Sequence, residues 1–198
     1  MIKLVTEAEI VLSGRLGKSF SFPKAKARED LPGLALIRRQ VSSLRGAPVI
    51  ASLDQSEEAV GFASREDIAK LATRGPLTPD HTIRTKRVPA IIGADSGKSL
   101  AKFADDYEAY FEKYQQGETM LPPDPRWAVW QGQGVISFGA SEAEAEALRD
   151  IATHTRRTIQ QTEAAFDGGW KALPASKLFA IEYWELEQAK LKKSGSAP

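Results

Sequence analysis

Apolar residues recur along this chain with two periods, and the alternation between them marks out helices and strands. Ile2, Val5, Ala8 and the pair Val11-Leu12 make an approximate helical stripe, which predicts a helix over 2–14. Gly14 to Asp30 is rich in Lys, Ser and Gly and carries Pro23, so it reads as a linker. Leu34, Ile37, Val41 and Leu44 return to helical spacing behind Pro32, which predicts a helix from about 32 to 45. Two short β-like runs, 48–53 and 59–63, are split by the polar Asp54-Gln55-Ser56-Glu57-Glu58 and read as a hairpin or two successive strands. Ser64 then suits the N-cap of a helix whose Ile68, Leu71 and Ala72 share a face and which ends before Gly75.

Beyond Gly75 the pattern predicts a turn-rich loop and then a strand around Ile83 to Ile92. From Ser99, a helix carries Leu100, Phe103, Tyr107, Tyr110, Phe111 and Tyr114 as a wide aromatic stripe, the mark of a core-facing side. A proline-rich connection, 120–125, leads to two apolar runs, Trp127–Trp130 and Val135–Phe138, which predict paired strands around Gly132 and Gly134. Ser141 and Glu144 form a capping box for a long helix with Leu148, Ile151, Thr155 and Ile159 on one side. A last helix is predicted over 176–192, followed by a frayed tail at 194–198. Two hairpin-plus-helix units are thus expected, at 48–73 and 126–166.

Composition narrows the function classes. With 27 Lys+Arg against 26 Asp+Glu, no whole-molecule field draws this chain to nucleic acid or an anionic membrane, so an anion site must be local. The absence of cysteine removes disulfides and thiolate metal sites, and is compatible with a reducing cytoplasm. No apolar run nears the roughly 20 residues that span a bilayer, and the N-terminus lacks the basic and apolar regions of a signal peptide. The expected location is the cytoplasm.

The segment 74–86 concentrates chemistry. Pro79 fixes its own φ and Asp80 can accept backbone N–H bonds, so His81, Arg84 and Lys86 would be presented from an ordered loop. In strand geometry Thr82, Arg84 and Lys86 share one face, where two cations and a hydroxyl could meet an anion. Thr78, Asp80, His81, Arg84 and Lys86 are therefore the candidate ligand-binding residues, set against a turn with a solvated basic edge. His154, with Asp150 four residues before and Arg157 three after, reads as a helix-surface ion pair rather than a metal ligand. The spacing Gly132-x-Gly134-x4-Gly139 lacks the third glycine of a dinucleotide turn, so no cofactor is expected. Glu182, Glu185 and Glu187, beside Tyr183 and Trp184, read as part of a docking helix.

Gly75-Pro-Leu-Thr-Pro-Asp-His-Thr-Ile-Arg-Thr-Lys86 and Phe179-Ala-Ile-Glu-Tyr-Trp-Glu-Leu-Glu-Gln-Ala-Lys-Leu191 resemble bifunctional proteins that join a class II aldolase/adducin-like region to a short-chain dehydrogenase, the rhamnulose-phosphate aldolase/alcohol dehydrogenase type. Asp124-Pro125-Arg126 and the 150–155 stretch fit the same family. The resemblance implies a single layered α/β/α domain, a degenerate class II aldolase fold with a mixed or antiparallel sheet and flanking helices. Its parts would be an N-terminal helix and linker at 1–30, the α/β domain at 31–175, and a docking helix with a frayed tail at 176–198. The family's His-x-His metal motif, its Gly-rich phosphate loop and its Tyr-x-x-x-Lys pair do not occur here, and Gln133 stands where a metal-binding histidine would.

The expected function is accordingly a non-catalytic scaffold that acts by assembly, as a homodimer covering Phe179, Tyr183 and Trp184 or with an aldolase or dehydrogenase partner in trans. A sugar-phosphate-binding or class II aldolase-like enzyme using the 78–86 residues is the competing reading.

Overall fold

The computed structural model describes residues 2–16, 23–165 and 169–193. The predicted linker therefore lies partly outside the described residues, and the 194–198 tail wholly outside them. The elements run α1 (Ile2–Leu16), α2 (Leu31–Arg45), β1 (Ile50–Asp54), α3 (Glu57–Ala63), α4 (Ile68–Ala72), α5 (Pro79–Thr85), β2 (Ala90–Ile92), α6 (Ser96–Tyr114), β3 (Trp127–Trp130), β4 (Gly134–Gly139), α7 (Glu142–Ala165), α8 (Ala175–Glu182) and α9 (Glu185–Lys193).

One mixed sheet, ordered β1-β4-β3-β2, forms the middle layer. β4 pairs antiparallel with both β1 and β3, while β2 runs parallel to β3. Alternation along the two central strands divides the core in two. Ala128, Trp130, Ile136 and Phe138 face Ile37 and Val41 of α2 and Leu100 and Phe103 of α6. Trp127, Val129 and Val135 face Phe62 of α3, Leu71 of α4 and Ala152 and Ile159 of α7. Both faces are covered, and the α/β/α layering follows.

Local chemistry sets the helix ends. The Asp30 carboxylate accepts from the Gly33 amide at 2.8 Å to start α2, and Gly46, at φ 72°, ends it in the left-handed conformation. The capping box of α7 is present in shifted form: Ser141 Oγ accepts from Glu144 N at 3.2 Å, while Glu144 reaches back to the Ala140 amide at 2.6 Å. Asp95 caps α6, which begins at Ser96, three residues ahead of the predicted start.

Four expectations are corrected. Residues 59–63 are helical, because Ser56 caps the segment at Ala59 and Glu57 and Glu58 occupy its first turn. The pairing partner of β1 is consequently β4, and the 48–73 unit holds no hairpin. Residues 79–85 are helical rather than a loop entering a strand, since Thr78 accepts from the His81 amide at 3.3 Å and Pro79 sits in the first turn. The 176–192 helix is broken in two, with Tyr183 and Trp184 between the halves.

Candidate functional site

At the C-terminal end of α5, Lys86 adopts φ 59° and ψ −179°, and it is the one non-glycine residue with positive φ among the described residues. That region is almost confined to glycine and costs about 1–3 kcal/mol, so the surroundings must hold it there. They do so through the side chain. The Lys86 ammonium donates to the Pro122 carbonyl and lies 3.5 Å from the centroid of the Tyr107 ring, with the residue 3% exposed. Burial pulls its pKa down to about 7; Arg126 and Arg45 push the same way, while Asp124 and Glu182 oppose.

Around Lys86 the polar groups form a chain from three elements. The Leu121 amide donates to Tyr183 Oη at 3.3 Å, the Tyr183 and Tyr107 hydroxyls are 2.7 Å apart, and Tyr107 Oη donates to Glu182 Oε1 at 2.8 Å. Because the Tyr107 proton goes to the carboxylate, Tyr183 is the donor to Tyr107. Glu182 is 1% exposed, and burial raises its pKa although Lys86 and Tyr107 favour its charge. Burial likewise raises the Tyr107 hydroxyl and lifts that of Tyr183 to about 12. Beside this chain, Arg45 Nε donates to the fully buried Asp124 at 2.8 Å, and Arg45 also reaches the Phe138 carbonyl at 3.3 Å. Burial lowers the pKa of Arg126, which follows Asp124 by two positions.

Above Lys86 opens a cleft of about 640 Å³ between the 86–91 segment and α6. Val88, Ile91, Phe103 and Tyr107 supply its apolar wall, and its cations are described below. Lys86 and Tyr107 line the cleft, whereas Glu182 and Tyr183 do not.

Of the five residues singled out beforehand, the helical turn separates all but neighbours. Thr78 is spent on the α5 cap, and Asp80 is exposed in the first turn. His81 is half-buried, its pKa lowered by burial and by the nearby His154 against the pull of Asp80. Arg84 faces Arg126 and Glu144 in a recess of about 20 Å³, whereas Lys86 turns into the Tyr107–Glu182 cluster. Arg157, expected beside His154, instead binds Glu58 at 2.7–2.9 Å. Sequence reasoning placed Tyr107 on a core stripe, Asp124 in a family motif and Glu182 on a docking helix, and their meeting, with Arg45 beside them, escaped it because they are far apart in the chain.

Comparison with known proteins agrees with the layering. The family model described as "Aldolase class II, second domain" matches residues 28–191. The "Uncharacterized oxidoreductase YuxG" of Bacillus subtilis (strain 168) is 29% identical over 212 residues, covering 96% of this chain and 30% of that relative. The chain thus spans less than a third of the relative's length.

Proposed function

Because the chain belongs to the class II aldolase second-domain family, we propose that it is a non-catalytic member, a scaffold that works through assembly. The observation that carries this reading is the commitment of its polar cluster. Lys86, Tyr107, Tyr183 and Glu182 bind one another and the 121–122 main chain, and Arg45 binds Asp124 and the end of β4. Such contacts brace α2, α6, α8 and the proline-rich connection against the sheet. Metal-dependent aldol cleavage needs several side-chain ligands at one point, and among the described residues no group of three or more His, Cys, Asp or Glu is placed to hold an ion.

The assembly half of the proposal draws on surface rather than core. α1 exposes Ile2, Leu4, Val5, Ile10, Val11 and Leu12, and the α8–α9 junction exposes Trp184 (52%) and Leu186 (61%). Phe179 and Tyr183, expected to need a partner, are instead buried at 4% and 9% against Tyr110 and Phe111. The contact we propose is therefore a second copy joined through α1 and Trp184, in the cytoplasm. A role beside an oxidoreductase domain, as in the aldolase/dehydrogenase fusions, is in keeping with the printed name of the relative.

The competing reading, sugar-phosphate binding by the 78–86 residues, has less room. The recess at Arg84 is about 20 Å³, space for about one water, while Thr78 borders a separate recess of about 290 Å³ and Lys86 the cleft beside α6, so no one cavity gathers these residues. Incubating the purified chain with ketose phosphates and zinc decides between scaffold and enzyme. No aldehyde product above background is expected; metal-dependent cleavage that survives repurification overturns the proposal.

A further inference from the structure

The cleft between the 86–91 segment and α6 is unbalanced in charge. Lys86, Arg87, Lys102 and Lys113 line it, against a single carboxylate, Asp106. That carboxylate is already held by Lys102 at 2.8 and 2.9 Å. Lys86 is turned down onto Tyr107 and the Pro122 carbonyl. Arg87 and Lys113 therefore border the cleft with no carboxylate in hydrogen-bond contact, although Arg87 feels the charge of the buried Glu182, and Arg87 Nε is buried with no hydrogen-bond partner. A buried guanidinium N–H left unpaired is unfavourable, a deficit that an incoming acceptor would remove.

The same two cations stand over aromatic rings. The Arg87 guanidinium is 5.0 Å from the Tyr110 centroid, and the Lys113 ammonium is 5.3 Å from that of Tyr114. Tyr110 and Tyr114 meet edge to face at 5.6 Å, and with Tyr110 buried the ring surface left beside the charges is mainly that of Tyr114. At about 640 Å³ the cleft lies within the usual range for small-molecule sites, roughly 300–1,000 Å³.

We propose that this cleft binds a phosphate monoester carrying a flat ring, its phosphate held by Arg87 and Lys113 and its ring packed against Tyr114 and the apolar wall of Val88, Ile91 and Phe103. A dianion matches the surplus of cations over carboxylates in the lining, and Arg87 offers the forked donor geometry that a phosphate accepts. The ring accounts for the apolar wall, which a bare phosphate would leave wet. This site is independent of the assembly reading, since neither α1 nor Trp184 lines it.

The test is calorimetric titration of the whole chain with three probes: phenyl phosphate, inorganic phosphate and benzyl alcohol. Phenyl phosphate is expected to bind at least about tenfold more tightly than either fragment. Arg87→Gln and Lys113→Gln are each expected to weaken it about tenfold or more, while Lys98→Gln, on α6 but outside the cleft, leaves it unchanged. Lys113 is exposed, so its variant reports even if Arg87→Gln does not fold. The proposal is overturned if phenyl phosphate gives no heat at about 1 mM, if Lys113→Gln binds like wild type, or if Lys98→Gln weakens binding equally, which would mark diffuse charge attraction.

Discussion

Tyr107 in the middle of α6 and Glu182 at the last turn of α8 are joined by a 2.8 Å hydrogen bond inside the protein, with Glu182 fully enclosed. Removing the hydroxyl leaves a buried carboxylate oxygen without its donor. Tyr107→Phe is expected to destabilise the fold by about 1–3 kcal/mol in urea unfolding. In a double-mutant cycle with Glu182→Gln the two changes should couple by at least about 0.5 kcal/mol, and additive losses would refute the pairing.

Stability should also depend on pH through Lys86. Its pKa in the folded state is about 7, below the ordinary 10.5, so between these values the unfolded chain holds a proton that the folded chain has released. Stability therefore rises with pH across that window. The penalty for burying the charge is fully present below pH 7 and is relieved above about 10.5. Wild type is expected to gain on the order of 2 kcal/mol between about pH 7 and 9 relative to Lys86→Met. Parallel pH profiles of the two proteins would contradict it.

On the opposite face, Arg156 ties α7 to the start of α3 and the end of β1, with Nη1 2.7 Å from Asp54 and Nε 3.4 Å from Glu58. Burial alone would raise both carboxyls. The Ser56 amide and Arg156 more than offset this at Asp54, and Arg157 with Arg156 does so at Glu58, so both lie below the usual range. Their contribution is present above about pH 4 and is lost as pH falls below it. Asp54→Asn should lower stability at pH 7 and flatten the acid limb of the unfolding profile. Arg156→Met, which takes the guanidinium from Asp54 while Glu58 keeps Arg157, should cost about 3 kcal/mol at neutral pH.

Gly134 opens β4 at φ 139°, and a side chain there would press into the Asp54 carbonyl of the neighbouring strand. Gly134→Ala combines strain with a clash against main chain, and a loss of at least about 1–3 kcal/mol is expected from the urea midpoint. Gly132→Ala has open space around it and differs only by its φ of 72°, so it should cost less.

For the proposed assembly, sedimentation of the wild-type chain at tens of micromolar should show a dimer, and Leu4→Glu/Val11→Glu should be a monomer of unchanged helix content. A wild-type monomer would remove α1 as an interface.

How much of this could be read from the chain depends on distance along it. The helices α2, α6 and α7, and the β3–β4 hairpin, announce themselves through period and caps a few residues apart. Residues 59–63 were misjudged because a five-residue apolar run carries no usable period, and the deciding signals, Ser56 with Glu57 and Glu58, lie upstream. Thr78-Pro79-Asp80 carries both turn and helix-start chemistry, and only the Thr78 bond to His81 chooses between them. Lys86 was legible as a residue of interest, but its partners were not. Tyr107 and Glu182 occupy ordinary helix positions, and nothing local to either records that α6 and α8 meet. Glu182 even reads as one of three acids on a docking helix.

The strand order has a consequence for how the chain can acquire its shape. Ile50 lies opposite Gly139, and Ala90 opposite Ala128, so β1 and β2 pair only with segments from the later part of the chain. A nascent polypeptide emerging from the ribosome has no sheet at all until the 127–139 hairpin is released, and helices α2 to α5 of the first half wait with their apolar faces open. Synthesis, not local preference, then sets the moment of folding, and truncation anywhere before Gly139 should leave a collapsed, protease-sensitive chain rather than half a domain.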